Sequence, residues 1–164
     1  MKIKHKNLIA FSGLLWAGMG FFLLYIGLGF IAKASTTTLP QNSAGNPLLS
    51  FLSDYFGGTE TSAIFLIIIA LGLGTLKSRM VFAKVINKMV VNIRSFPDPV
   101  NFTNIYGLKY LVLMGIMMSF GFAMKYFEVS NDIRGLVDVA VGSALLNGGL
   151  SYFRHLNYPV PSKI

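Results

Sequence analysis

The stretch LIAFSGLLWAGMGFFLLYIGLGFIA, which runs from Leu8 to Ala32, decides the fold class of this chain. Its 25 residues include no charged side chain, and an α-helix needs about 20 mainly apolar residues to cross a bilayer. Three more apolar stretches lie at residues 59–80, 107–127 and 133–153. None of them alternates with the period of two that a membrane β-strand requires. The sequence therefore predicts an all-α, polytopic integral membrane protein with a bundle of four transmembrane helices.

The composition supports a single transmembrane domain over residues 1–164. Hydrophobic residues make up 54% of the chain and charged residues 12%, whereas charged residues make up about 25% of a typical soluble domain. A chain this apolar cannot cover itself with a polar surface. The absence of cysteine excludes disulfide scaffolds and thiolate metal sites.

The first apolar stretch has two interpretations. Three lysines precede residue 8, and the sequence Ala-Lys-Ala at residues 32–34 resembles a signal cleavage site. The apolar region of a cleaved signal is about 7–15 residues long. Because the stretch at residues 8–32 is much longer, it is predicted to be a retained anchor rather than a cleaved signal.

The positions of lysine and arginine predict the orientation. With four spans and a cytoplasmic N-terminus, only Lys33, Lys125 and Arg134 of the 14 lysines and arginines lie on the outer side. Cytoplasmic loops of membrane proteins carry the excess of these residues. Both termini are therefore predicted to be cytoplasmic, most simply in a bacterial inner membrane. The net charge of +8 follows from this topology, and no nucleic acid is predicted as a partner.

The outer loop, residues 33–58, contains a predicted short helix. Asn46 followed by Pro47 is a typical helix start, and Gly57-Gly58 ends it. Between them the apolar residues recur at helical spacing: Leu48, Leu49, Leu52, Tyr55 and Phe56. This helix either lies on the outer membrane surface or packs over the mouth of the bundle.

The cytoplasmic segment between spans two and three, residues 81–106, is predicted to start with a basic amphipathic interfacial helix. Its apolar stripe consists of Phe82, Ile86, Met89 and Ile93. Basic side chains in and beside it are candidate contacts for anionic lipid headgroups: Lys77, Arg79, Lys84, Lys88 and Arg94. The alternative is ordinary positive charge on the inner side without a specific ligand.

Small residues predict how the spans pack, because close approach of helices in lipid needs small side chains on the facing sides. Span four has small or polar residues on two opposite sides, so it is predicted to lie at the centre of the bundle or between the bundle and a second protomer. The predicted packing residues are Gly13, Ala17, Gly20 and Gly27 in span one; Ala70 and Gly74 in span two; Gly115, Ser119 and Ala123 in span three; and Gly135, Gly142 and Gly149 in span four.

Asp138 is the only acidic residue inside a span apart from Glu60, which lies at the start of span two. Arg134 lies one helical turn earlier, so an ion pair between them is geometrically possible. Together with the deeper Asn147, these residues form a candidate proton or ion site that opens outward. The alternatives are a structural ion pair between Arg134 and Asp138 and, for Asn147, a hydrogen bond to a neighbouring helix.

Catalytic chemistry is not predicted. Both histidines, His5 and His155, lie outside the spans, and no nucleophile or metal motif occurs. No enzyme activity, cofactor or metal is therefore expected. The first hypothesis is a non-enzymatic scaffold, accessory subunit or oligomeric assembly that binds membrane lipids and either itself or a partner membrane protein. The alternative is a small oligomeric transporter or channel, with or without proton coupling, that uses the pair of Asp138 and Arg134 inside the membrane. The third hypothesis is a lipid-binding or membrane-remodelling protein.

Overall fold

The computed structural model describes residues 2–3, 5–36, 45–82, 84, 86–88, 90–91, 100–101, 119 and 121–157. Over these residues the fold is helical. Helix α1 covers His5–Thr36, α2 covers Pro47–Phe56, α3 covers Thr59–Lys77 and α4 covers Asn131–Asn157. A π-helical segment, Ser78–Phe82, continues α3. Two short segments, β1 at Lys2–Ile3 and β2 at Val100–Asn101, pair in antiparallel orientation.

Three of the described helices are long and apolar enough to cross a membrane: Lys6–Thr36, Thr59–Met80 and Asn131–Arg154. They contain the first, second and fourth predicted spans, and their helical structure is confirmed. The third predicted span, residues 107–127, lies outside the described residues except for Ser119 and residues 121–127. Of these, residues 121–126 are helical and lead through a turn at Glu128 into α4.

Helix α4 lies between α1 and α3, which contact each other much less than either contacts α4. It runs antiparallel to α1, because Gly13 near the start of α1 faces Gly149 and Tyr152 near the end of α4. Helix α4 runs parallel to α3. Both helices begin beside α2, and Gly74, near the end of α3, contacts Ala140, which lies further along α4. This arrangement gives α4 the central position that small residues on two of its sides predict.

Helix α2 packs over the end of the bundle where α3 and α4 begin. Leu49 is buried, and Leu48 and Leu52 pack beside it on a hydrophobic cluster. The buried members of that cluster come from four helices: Ile31, Ala34, Leu49, Ala63, Leu66, Ala70 and Val139. Gly57 ends α2 in the left-handed conformation, φ 72°, which glycine adopts without the cost of a Cβ. The structure shows this helix packed over the mouth of the bundle, and its contact with the outer membrane surface stays a prediction.

The basic segment after α3 is helical at the described residues 84, 86–88 and 90–91. Ile86 and Val90 are buried, whereas Lys84, Asn87, Lys88 and Val91 are exposed. Ile86 of the predicted stripe is thus covered by protein, and so is Val90, which the predicted stripe did not include. The stripe residues Met89 and Ile93 lie outside the described residues.

Candidate functional site

The contact between α1 and α4 is formed by two glycine stripes with the same spacing of seven residues. Because the helices are antiparallel, Gly13 faces Gly149, Gly20 faces Gly142, and Gly27 faces Gly135. Seven residues are close to two helical turns, so each stripe stays on one side of its helix. The two backbones therefore meet at three successive levels.

The distances at this contact leave no room for a side chain. A Cβ placed on Gly20 would lie 2.7 Å from the carbonyl oxygen of Gly142, and a Cβ on Gly142 would lie 2.8 Å from that of Gly20. A Cβ on Gly149 would lie 2.8 Å from the carbonyl oxygen of Gly13. Real Cβ atoms almost never come closer than 3.0 Å to a non-bonded heavy atom. Such backbone contact is a main source of association energy for helices in lipid.

The opposite side of α4 receives α3 in the same way. A Cβ on Gly74 would overlap the Ser143 hydroxyl and the Ala140 carbonyl oxygen. Ala70, one turn earlier in α3, is fully buried. Of the predicted packing residues in span three, Ser119 is exposed, Ala123 is half-buried and Gly115 lies outside the described residues.

The structure does not bring the three candidate ion-site residues together. Asp138 and Asn147 are nine residues apart, which places them about 13 Å apart along α4 and on opposite sides of it. A Cβ on Gly27 of α1 would lie 2.9 Å from the Asp138 Cβ, so the stem of Asp138 packs against α1. Asn147 Nδ2 donates to the Ser143 carbonyl oxygen in the same helix, at 3.0 Å. Its described hydrogen bond is therefore not the predicted bond to a neighbouring helix.

Arg134 makes a different contact from the one that its spacing predicts. Its guanidinium group lies over the ring of Phe30 in α1, 4.3 Å from the ring centre. Within the described ranges no direct ion pair joins it to Asp138, and the ion-site role of the two residues stays a prediction. A cation over an aromatic ring contributes about 0.5–2 kcal/mol, and here it adds a second link between α1 and α4.

Asp132, which sequence reasoning did not select as a site residue, is a charged group whose two carboxylate oxygens both accept hydrogen bonds. Its side chain is fully buried. Oδ2 accepts hydrogen bonds from the backbone N–H groups of Leu48, at 2.7 Å, and Leu49, at 3.1 Å. Oδ1 accepts one from Ile133, at 2.8 Å. The carboxylate therefore sits between the N-termini of α2 and α4, where the helix dipoles favour negative charge.

Asp132 replaces the cap predicted at Asn46. The Asn46 side chain makes no capping hydrogen bond to α2; its amide donates to the Ala34 carbonyl oxygen, at 3.4 Å. Pro47 stands at the first helical position as predicted. The free N–H groups of the first turn are instead satisfied by a residue more than 80 positions later. The one signal in the sequence was an acidic residue at the start of span four.

The basic side chains at the other end of the bundle are accessible. Lys77, Arg79, Lys84 and Lys88 are all exposed, while Arg94 lies outside the described residues. No group of three or more His, Cys, Asp or Glu side chains able to hold a metal ion occurs in the part of the chain that the structure describes.

Comparisons with protein-family models, curated proteins and solved structures gave no match to this chain.

Proposed function

We propose that the chain crosses a membrane four times. Helix α4 begins at the end of the bundle covered by α2, whereas β2 pairs with β1 at the end where α1 begins. Between Asn101 and Asn131 the chain must therefore pass from one end of the bundle to the other. The apolar residues 107–127 would form a helix about 32 Å long, which matches the thickness of the hydrocarbon core, about 30 Å. The change from one end of the bundle to the other and the matching length both support the third crossing.

The same geometry supports termini on one side of the membrane. The start of α1 and the end of α4 lie together, and the exposed Lys77, Arg79, Lys84 and Lys88 lie beyond the membrane end of α3 on that side. The excess of basic residues makes it the cytoplasmic side. There the exposed lysines and arginines contact anionic lipid headgroups. A bacterial inner membrane is the simplest location.

Within that membrane the protein acts as a non-enzymatic scaffold or accessory subunit that associates with a second copy or with a partner membrane protein. The observation that carries this proposal is the backbone contact of α4 with α1 on one side, together with the fit of Gly74 on the other. Helices locked in this way form a fixed unit, and the described glycine contacts leave no space for a solute between α4 and α1 at those levels. Asp138 and Asn147 lie on opposite sides of α4, which also argues against a shared ion site.

The scaffold function predicts that the charge of Asp138 is dispensable. Asp138→Asn keeps the shape of the side chain that packs against Gly27, so we expect the same yield of folded protein and an unchanged phenotype in a deletion strain of the native host. Gly27→Leu, at the same level of the bundle, should lose both, because its side chain would collide with α4.

The measurement is complementation of the deletion strain, with membrane yield and assembly size determined for each variant. Loss of complementation by Asp138→Asn, with yield and assembly size intact, would contradict the scaffold and favour the proton-coupled transporter. Complementation by Gly27→Leu at normal yield would contradict the packed unit.

A further inference from the structure

Helix α2 presents two chemically different flanks beside its buried side. Leu49 faces the bundle. Ser50 and Asp54, one turn apart, form a polar exposed flank, and Phe51 and Tyr55 form an aromatic flank that is 60% and 73% exposed. Two neighbouring exposed aromatic rings on one flank form an apolar patch, and such patches mark surfaces that contact a partner or a membrane.

The aromatic flank continues onto the apolar surface of α3. Next to Tyr55, the ring of Phe56 stacks on Phe65 of α3, with ring centres 4.1 Å apart. Phe65 belongs to the exposed side of α3, together with Ile64 and Ile68, each 59% exposed. If α3 spans the membrane as proposed, this side faces hydrocarbon, and the flank of α2 lies at its outer border.

We propose that Phe51 and Tyr55 bind the outer leaflet of the bilayer at the boundary between headgroups and acyl chains, while Ser50 and Asp54 face water. Aromatic rings favour this boundary because it offers apolar contact and polar groups together. The only charged residue of α2 is Asp54, so the binding needs no anionic lipid and occurs on zwitterionic phosphatidylcholine. Helix α2 is thus both a cap on the bundle and a lipid-bound helix. The inference rests on the proposed membrane placement of α3.

The absence of cysteine gives a direct test. Single variants Phe51→Cys, Ser50→Cys and Ile68→Cys are labelled with the environment-sensitive fluorophore NBD and reconstituted in phosphatidylcholine bilayers. Two quenchers are compared, a nitroxide-labelled lipid and aqueous iodide. All three positions are exposed, so the label does not disturb the core. The variant at Ile68 reports whether α3 is in the bilayer.

We expect the label at residue 51 to emit at shorter wavelength and to lose most of its fluorescence to a nitroxide near the headgroup, while the label at residue 50 is quenched by iodide. Equal quenching by iodide at residues 50 and 51 overturns the inference, and so does protection of residue 51 from both quenchers, which indicates cover by protein. If residue 68 is also quenched by iodide rather than by lipid, the membrane placement itself fails. Lipid quenching at residue 68 without lipid quenching at residue 51 overturns only the role of α2.

Discussion

Replacing Gly20 with leucine is expected to separate α1 from α4 and to abolish stable folding. A Cβ at this position would lie 2.6 Å from the Leu146 backbone nitrogen and 2.7 Å from the Gly142 carbonyl oxygen. Both are backbone atoms, so neither helix can adjust by rotating a side chain. Overpacking with a single added methyl group costs about 1–3 kcal/mol in a tight core, and leucine adds three more carbons to the same space.

Gly18 provides a matched control in the same helix. Nothing lies within 4 Å of a Cβ placed on it, and leucine has the higher helix propensity, by about 0.8 kcal/mol. Gly18→Leu should therefore fold at least as well as the unaltered protein. Gly142→Leu, on the facing helix, should fail like Gly20→Leu.

Thermal unfolding in detergent, followed by size-exclusion chromatography, measures the difference. We expect loss of the monodisperse species for Gly20→Leu and Gly142→Leu and its retention for Gly18→Leu. Equal stability of the variants at residues 18 and 20 would show that the two backbones do not meet.

The second large effect is expected at Asp132. Asp132→Ala removes the acceptor for the N–H groups of Leu48 and Leu49, and each unsatisfied buried donor costs about 1–3 kcal/mol. Helix α2 should therefore detach from the bundle and expose Leu49, while α1 and α4 stay together. Asp132→Asn retains one acceptor oxygen without the charge and should give an intermediate result.

Hydrogen exchange of the amides in residues 48–56 reports the attachment of α2. We expect fast exchange in Asp132→Ala and unchanged exchange in Asp54→Ala, because Asp54 is an exposed acid on α2 itself. Slow exchange throughout α2 in Asp132→Ala would mean that apolar packing alone holds the helix.

The helix pairing could be predicted in part from the sequence because it depends on spacing that is visible along the chain. Small residues on one side of span one and on two sides of span four indicated close packing and a central α4. The sequence did not show that Gly20 meets Gly142, because any two small-residue stripes are compatible until the register is known. The third span could be predicted only as an apolar stretch.

The polar contacts could not be predicted because they join distant parts of the chain. Helical spacing brings Arg134 within reach of Asp138. The packing of α1 against α4, which the spacing does not show, places the ring of Phe30 beside the Arg134 guanidinium group. For α2, Asn46 had the residue type of a cap. The carboxylate of Asp132 is a stronger acceptor, and the fold places it at the same helix N-terminus.

Sidedness of labelling in intact cells tests most directly whether the chain crosses the membrane four times with both termini inside. Single cysteines at residues 43, 95, 131 and 162 are treated with a membrane-impermeant maleimide before and after the cells are opened. With four crossings we expect labelling of residues 43 and 131 from outside, and of residues 95 and 162 only after the cells are opened. Labelling of residues 43 and 131 from opposite sides would contradict the four crossings.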